Sequence, residues 1–239
     1  MTNISIVIPA RNEAENIGAL VQAIDTAMKP LGDFEIIVVD DGSTDDTGAR
    51  VKALRMPHVR LLRHPVSAGQ SAAVHTGVLA ATASLICTLD GDGQNPPEEL
   101  PRLVAPLLTD TSNKIGLVAG QRVKRQDTWS KKIASRAANA LRGWLLNDGT
   151  RDTGCGLKAF RRDAFLALPY FDHMHRYLPA LFARDGWTVA HVDVSHKPRL
   201  AGASNYSNRQ RAMVGAVDLL GVAWLLRRRK KASALPEER

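Results

Sequence analysis

At 239 residues the chain is long enough to bury a proper core, and its size fits one domain with elaborations. Its two cysteines, Cys87 in an apolar run and Cys155 in a glycine-rich loop, exclude a disulfide framework and suit a reducing, cytoplasmic compartment. A formal net charge of +8 calls for an anionic partner: nucleic acid, a phosphorylated substrate or an acidic membrane.

The chain enters a strand at Ile4–Ile8 without a basic and apolar leader, so no signal peptide is expected. Glu13–Met28 has helical spacing through Ile17, Leu20, Val21 and Ile24. A second strand follows at Phe34–Val39, and Ser43-Thr44-Asp45-Asp46 supplies N-cap chemistry for a helix to about Leu54. Strands at Val59–Leu62, Leu85–Leu89 and Ile115–Ala119 alternate with helices at Gly69–Ala81 and Pro97–Leu108. These strands are continuous apolar runs, the pattern of a parallel sheet covered on both faces. The expected fold is therefore α/β, a Rossmann-like open and mostly parallel sheet with ligands at the carboxyl ends of its strands.

Beyond Arg122, Trp129–Leu146 reads as a basic amphipathic helix and Asp148–Gly156 as a polar, glycine-rich loop. A short strand is expected at Gly156–Phe160, helices at Asp163–Leu168 and His175–Arg184, and an alternating strand at Thr188–Val194. Lys197–Asn208 reads as a loop, Gln210–Leu226 as a helix, and the tail after Ala232 as disordered.

Polar residues gather at the strand ends: Pro9-Ala10-Arg11-Asn12-Glu13, Asp40-Asp41-Gly42-Ser43, Asp90-Gly91-Asp92 and Gly120-Gln121-Arg122. Asp-Gly pairs are common turn chemistry, so Asp90–Asp92 taken alone also reads as a turn. Acids at two strand ends and a cation at a third weaken that reading. Two acids so close repel each other unless a cation lies between them, and a hard divalent ion takes carboxylate oxygens while leaving positions for substrate phosphates. Neither a GxGxxG after the first strand nor a GxxxxGK[ST] occurs, so a dinucleotide fingerprint and a P-loop are excluded. His58, His64, His75 and His191 lack ligand spacing, and Trp129, Trp144, Trp187 and Trp224 read as packing or interface residues.

Three of these segments, Val7–Glu13, Val38–Asp45 and Leu89–Pro97, resemble glycosyltransferase family 2, which has the GT-A fold. Within it the chain is similar to polyprenyl-phosphate sugar transferases of the dolichol-phosphate mannose synthase type. That likeness rests on Gln94-Asn95-Pro96-Pro97, Gly120-Gln121-Arg122, Ser135-Arg136-Ala137-Ala138-Asn139, Asp152–Gly156, His175–Pro179 and Arg199–Ser204. The resemblance implies that Pro9, Ala10, Glu13, Asp40 and Asp41 hold the nucleotide, and that Asp90, Asp92 and Gln94 coordinate Mg²⁺ or Mn²⁺. It implies that Arg122, Ser135 and Arg199 face the acceptor phosphate. Lys131 stands where the family often has arginine, and Asn205 where a lysine is common; Lys131 keeps the charge and loses the forked geometry.

The implied reaction inverts a single sugar from a nucleotide sugar, GDP-mannose first, onto a polyprenyl phosphate (dolichyl or undecaprenyl). Asp90, Asp92, Arg122 and Arg199 would carry it. A UDP-sugar donor, or a glycan hydroxyl acceptor with Asp152 as base, is the alternative. Residues 1–122 would bind the donor and 123–208 the acceptor, with Arg122, Lys131 and Arg199 drawing two anions together. Gln210-Arg211-Ala212-Met213 does not supply the QxxRW-type motif of processive synthases. A nucleic-acid module would explain the net charge but not the acids at the strand ends, and a dead scaffold would not keep both metal-site acids.

The segment 209–231 closes the chain's ordered part. Ala212–Leu226 is apolar except for Asp218 and runs into Arg227-Arg228-Arg229-Lys230-Lys231. Its fifteen residues would span about 22 Å, short of a hydrocarbon core of about 30 Å. It reads either as a helix covering the sheet or as an amphipathic interfacial helix at anionic headgroups. A lipid-phosphate acceptor favours the second reading, with peripheral association on the inner face of the membrane.

Overall fold

The structure is a computed structural model that describes residues 3–123, 142, 143, 145, 146, 148–195 and 208–228, of which 208–214 as backbone only. Its strands are β1 (Ile4–Ala10), β2 (Phe34–Asp41), β3 (Val59–His64), β4 (Leu85–Thr88), β5 (Ile115–Arg122), β6 (Lys158–Arg161) and β7 (Thr188–Val194). The described helices are α1 (Ile17–Met28), α2 (Thr47–Ala53), α3 (Gln70–Ala80), α4 (Leu100–Thr109), α5 (Arg162–Leu166), α6 (Leu178–Arg184) and α7 (Asn208–Leu226).

One sheet runs β3-β2-β1-β4-β6-β5-β7. Every neighbouring pair is parallel except those of β6, which lies antiparallel between β4 and β5. The expected mostly parallel sheet is present, and the segments after Arg122 complete it rather than forming a body of their own.

Both faces of the sheet are covered. Ile4, Ile6, Ile8 and Ala10 of β1 join Ile36 and Val38 beneath α1 and α4, through Ile17, Val21, Ile24, Leu103 and Leu107. Val7, Ile37, Val39, Ile86 and Phe160 point the other way, onto α3, α5, α6 and the Val222–Ala223 face of α7. Period-two alternation thus feeds two cores, and each fully buried Ile or Phe contributes about 1.5–3 kcal/mol. Gly77 of α3 lies so close to Val7 that a Cβ there would overlap its side chain, which lets the helix sit directly on β1.

Helix α2 begins directly after Asp46, the last of the expected capping residues. The Asp46 side chain, at the N-cap, makes no capping bond, and Asp45 Oδ1 accepts from Thr47 N, the first amide of α2, at 3.0 Å. Ser43 and Asp45 also tie down the preceding loop: the Ser43 Oγ accepts from Asn12 N at 3.0 Å, and Asp45 Oδ2 from Ala14 N at 3.1 Å. Short polar side chains serve any nearby amide, and here a loop from another strand supplies it.

At the opposite edge, buried Glu35 accepts from Ser5 Oγ at 2.7 Å, Thr82 N at 2.7 Å, Thr82 Oγ1 at 2.6 Å and Arg60 Nη1 at 2.9 Å. Burial pushes its carboxyl up, but the bonds from Thr82, Ser5 and Arg60 outweigh it and bring the pKa from 4.5 down to about 2. A depressed folded-state pKa stabilises above the unfolded value, and the contribution disappears as pH falls through the folded one. Glu35→Gln should therefore lower stability near neutral pH by about 1–3 kcal/mol. It should also flatten the loss between pH 4.5 and about 2, read from urea midpoints across that range.

Candidate active site

Parallel pairing brings the ends of β1, β2, β4 and β5 to one edge of the sheet. The reversed β6 puts its first residue, Lys158, at that same edge, opposite Thr88 of β4 and Ala119 of β5. The Asp152–Gly156 loop is delivered with it, fastened by Thr88 Oγ1 to Gly156 O at 3.0 Å and Gly120 N to Leu157 O at 2.9 Å.

Asp90 sits at the centre. Its Oδ1 accepts from Gln70 Nε2 at 2.7 Å and its Oδ2 from Asn95 Nδ2 at 3.3 Å. Gly156 packs so tightly against the carboxylate that a Cβ there would overlap it. Burial and the neighbouring Asp92 push the Asp90 carboxyl above its ordinary value, against Lys158, Asn95 and Arg122. A buried carboxylate raised in part by a second acid two residues on favours a cation beside it. Asp92 Oδ1 accepts from Gln94 N at 3.1 Å, a local turn that turns the chain back toward the pair. Among the described residues no group of three His, Cys, Asp or Glu side chains forms a metal cage. Asp90 and Asp92, with an amide at Gln94, fit a hard divalent ion that takes its remaining oxygens from substrate phosphates.

The predicted nucleotide residues divide. Pro9 lines the cavity beside Asp90, and Ala10 lies under Gly91. Glu13 is in the loop zipped to Thr47, whose Oγ1 accepts from Glu13 N at 2.8 Å, and its own Oε2 accepts from Asn16 at 2.8 Å. Asp40 is fully buried; Oδ1 accepts from Ser43 N at 2.9 Å, while Oδ2 lies 3.3 Å from Arg63 Nε without hydrogen-bond geometry. Asp41 holds the β3–α3 loop. It accepts from His64 Nδ1 at 2.7 Å, Ser67 Oγ at 2.7 Å, Ala68 N at 2.8 Å and Gly69 N at 2.9 Å. Burial raises the Asp41 carboxyl, and these four donors bring it below the usual range. Gln70 follows Gly69 directly and opens α3, so Asp41 positions the partner of Asp90.

Arg122 and Asp152 form a two-bond fork, Nε to Oδ2 at 2.6 Å and Nη2 to Oδ1 at 2.9 Å. That bond, first, and the charge of Asp152 hold the guanidinium pKa up against partial burial. The sequence pointed to Arg122 and Asp152 separately, and the structure joins them. Lys131, Ser135 and Arg199 lie outside the described residues.

A cavity of about 340 Å³ opens beside Asp90, lined by Gln70, Thr153, Gly154, Lys158, His175 and Arg176 among others. Gln70 and Lys158 escaped the sequence reading. The one signal was a lysine inside the otherwise apolar run Leu157–Phe160, and it is buried, donating to Cys155 O.

The likeness to known proteins fits this edge. Residues 5–168 match the model of glycosyl transferase family 2. The chain is 36% identical over 208 residues to an undecaprenyl-phosphate 4-deoxy-4-formamido-L-arabinose transferase from Enterobacter sp. (strain 638), covering 85% of this chain and 62% of that protein. The chain thus spans under two thirds of that relative's length. Glucosyl-3-phosphoglycerate synthase from Mycobacterium tuberculosis, solved with UDP, superposes with a TM-score of 0.72 at 24% identity, over 93% of this chain and 80% of the other. The same enzyme with Mn²⁺, UDP-glucose and glycerol 3-phosphate gives 0.70 at 22% identity, over 94% and 80%. The fold is therefore GT-A-like, and from the family match over most of its length the chain belongs to glycosyl transferase family 2.

Proposed function

We propose that this glycosyltransferase moves one sugar from a nucleotide sugar to a polyprenyl phosphate, with inversion at the anomeric carbon. The observation that carries the acceptor class is the Arg122–Asp152 fork. A sugar hydroxyl needs a base, and the acid nominated for that work is neutralised by a forked arginine. A phosphate monoester is already anionic near neutral pH and needs cations instead. The fork uses Nε and Nη2 of Arg122, and the Nη1 edge lies outside it. Lys131, Ser135 and Arg199 are proposed as the remaining acceptor-phosphate contacts, with 1–122 as the donor half and 123–208 as the acceptor half. The undecaprenyl-phosphate relative supports this acceptor.

On the donor side, Asp90 and Asp92, with Gln94, would hold Mg²⁺ or Mn²⁺. That ion would stabilise the negative charge gathering on the departing nucleoside diphosphate. Gln70, Asn95 and Gly156 keep the Asp90 carboxylate in place for it. Pro9, Ala10, Glu13 and Asp40 would frame the nucleotide. Asp41 would act from behind, through the loop it organises. GDP-mannose follows from the family resemblance. A UDP-sugar is the second reading, favoured by the UDP and UDP-glucose held in the structural neighbours.

No described helix is long and apolar enough to cross a membrane. The outer side of α7 nevertheless exposes Val217 at 71%, Leu220 at 68% and Trp224 at 59%, one stripe at helical spacing. Arg228 lies over the Trp224 ring at 5.4 Å, and the basic run Arg227–Lys231 continues from there. The inner side is anchored: Tyr177 donates to Gly215 O at 3.3 Å and Arg184 to Leu225 O at 3.1 Å. An apolar stripe ending in cations suits the headgroup layer of an anionic, cytoplasmic-facing membrane surface, where the lipid acceptor would be met.

Three outcomes follow from this reading. Asp92→Ala should abolish transfer from GDP-mannose or UDP-glucose to a short polyprenyl phosphate and remove Mn²⁺-dependent donor binding, with an unchanged circular-dichroism spectrum; undiminished turnover would remove the metal role from Asp92. Gly156→Ala should cut Mn²⁺-dependent nucleotide affinity about tenfold or more by displacing Asp90, measured by calorimetry, while barely moving the urea midpoint. Replacing Leu220 and Trp224 together by Asp should weaken sedimentation with anionic vesicles about tenfold or more, and 0.5 M salt should weaken the wild type by a similar factor. Binding that ignores both changes would rule out α7 as the membrane face.

A further inference from the structure

The cavity beside Asp90 has a polar wall that neither the metal site nor the acceptor cations use. His175 lines it, held from behind by α3. Its Nδ1 lies 2.8 Å from Ser71 Oγ, and its backbone N–H donates to the same oxygen at 3.3 Å. Ser71 is 2% exposed, and among the described residues its hydroxyl proton has no other acceptor than Nδ1. A buried hydroxyl that donated to nothing would forfeit a hydrogen bond, so the proton belongs between Oγ and Nδ1. Nδ1 is then the acceptor, and the ring carries its own proton on Nε2. Burial, first, and the nearby charges of Lys158, Arg176 and His173 keep the imidazole neutral at physiological pH.

Ser71 directly follows Gln70, whose amide holds Asp90. One turn of α3 therefore sets two groups at once, the carboxylate proposed for the donor's metal and a fixed N–H donor. The cavity also reaches Gly154, where a Cβ would lie 3.2 Å from Arg122 Nη2. It thus lies between the acid that would face the diphosphate and the cation that would face the acceptor. The group that must occupy such a space is the sugar in transit.

We infer that His175, fixed as its Nε2–H tautomer by Ser71, donates a hydrogen bond to an oxygen of the transferred sugar and is a specificity-determining residue of the donor site, with Ser71 as its positioning residue. This rests on the donor reading above, not on the identity of the acceptor. A neutral donor discriminates by what it loses. A site that bonds a substrate hydroxyl rejects the analogue lacking it, because the protein group is left unpaired.

The test is a cross of variants against donors. Affinities of Mn²⁺-loaded wild type, His175→Ala, His175→Gln and Ser71→Ala are measured by calorimetry for the bare nucleoside diphosphate, for whichever of UDP-glucose and GDP-mannose binds more tightly, and for its 2-, 3-, 4- and 6-deoxy analogues. Wild type should lose about tenfold on at least one deoxy analogue. His175→Ala should lose about the same on the parent sugar and nothing further on that analogue. Its affinity for the nucleoside diphosphate should be unchanged. His175→Gln, which keeps an N–H donor, should recover part of the loss, and Ser71→Ala should fall between. Equal losses on every ligand, the bare diphosphate included, would make His175 a structural residue and overturn the inference; so would an unchanged His175→Ala. If no nucleotide sugar binds with Mn²⁺, the donor reading falls and this inference with it. Failure of transfer to polyprenyl phosphate alone would strike only the acceptor.

Discussion

Asp90 stands at the end of a strand that is covered on both faces, with a second acid two residues further on. Desolvation and repulsion both act against its ionised form, and the edge of the sheet is arranged around that difficulty. Gln70 and Asn95 donate to the carboxylate, Gly156 leaves it room, and the charges of Lys158 and Arg122 oppose the repulsion. None of these satisfies it fully, since the carboxyl stays above its ordinary value. The divalent ion proposed for this site would relieve that strain on Asp90, because a nearby cation favours the ionised form of a carboxylate.

The supporting shell is layered. Asp41 gathers four donors from the β3–α3 loop and so sets the start of α3. Gln70 and Ser71, the first residues of that helix, then reach Asp90 and His175. The Asp41 carboxylate, which the motif reading places on the nucleotide, makes these four bonds within that loop. On the other side, β6 enters antiparallel between two strands whose ends point to the same edge. Only a reversed strand could begin at that edge, and its beginning brings Lys158 and the loop that holds Asp152.

A comparable division runs through the surface. The interior side of α7 is anchored by Tyr177 and Arg184, and its outer side is apolar up to the basic run. Covering the sheet and meeting a lipid surface therefore need not be alternatives for this helix, because its two sides are separately equipped.

Much of the fold was legible before any coordinates. Continuous apolar runs separated by helical spacing specified a parallel sheet with two covered faces, because residues alternating along a strand must each meet a core. The clustering of Asp40, Asp41, Asp90, Asp92 and Arg122 at strand ends followed from the same pattern, since parallel strands end together. Local chemistry alone did not show that Ser43 and Asp45 also fasten the loop after β1, because a short polar side chain cannot announce which amide will come near it. The direction and place of β6, the Arg122–Asp152 fork, the bonds from the β3–α3 loop to Asp41 and the Ser71–His175 pair were decided only by tertiary structure. Each joins residues some 23 to 104 positions apart, and nothing in the spacing of residues along a chain encodes a contact of that range.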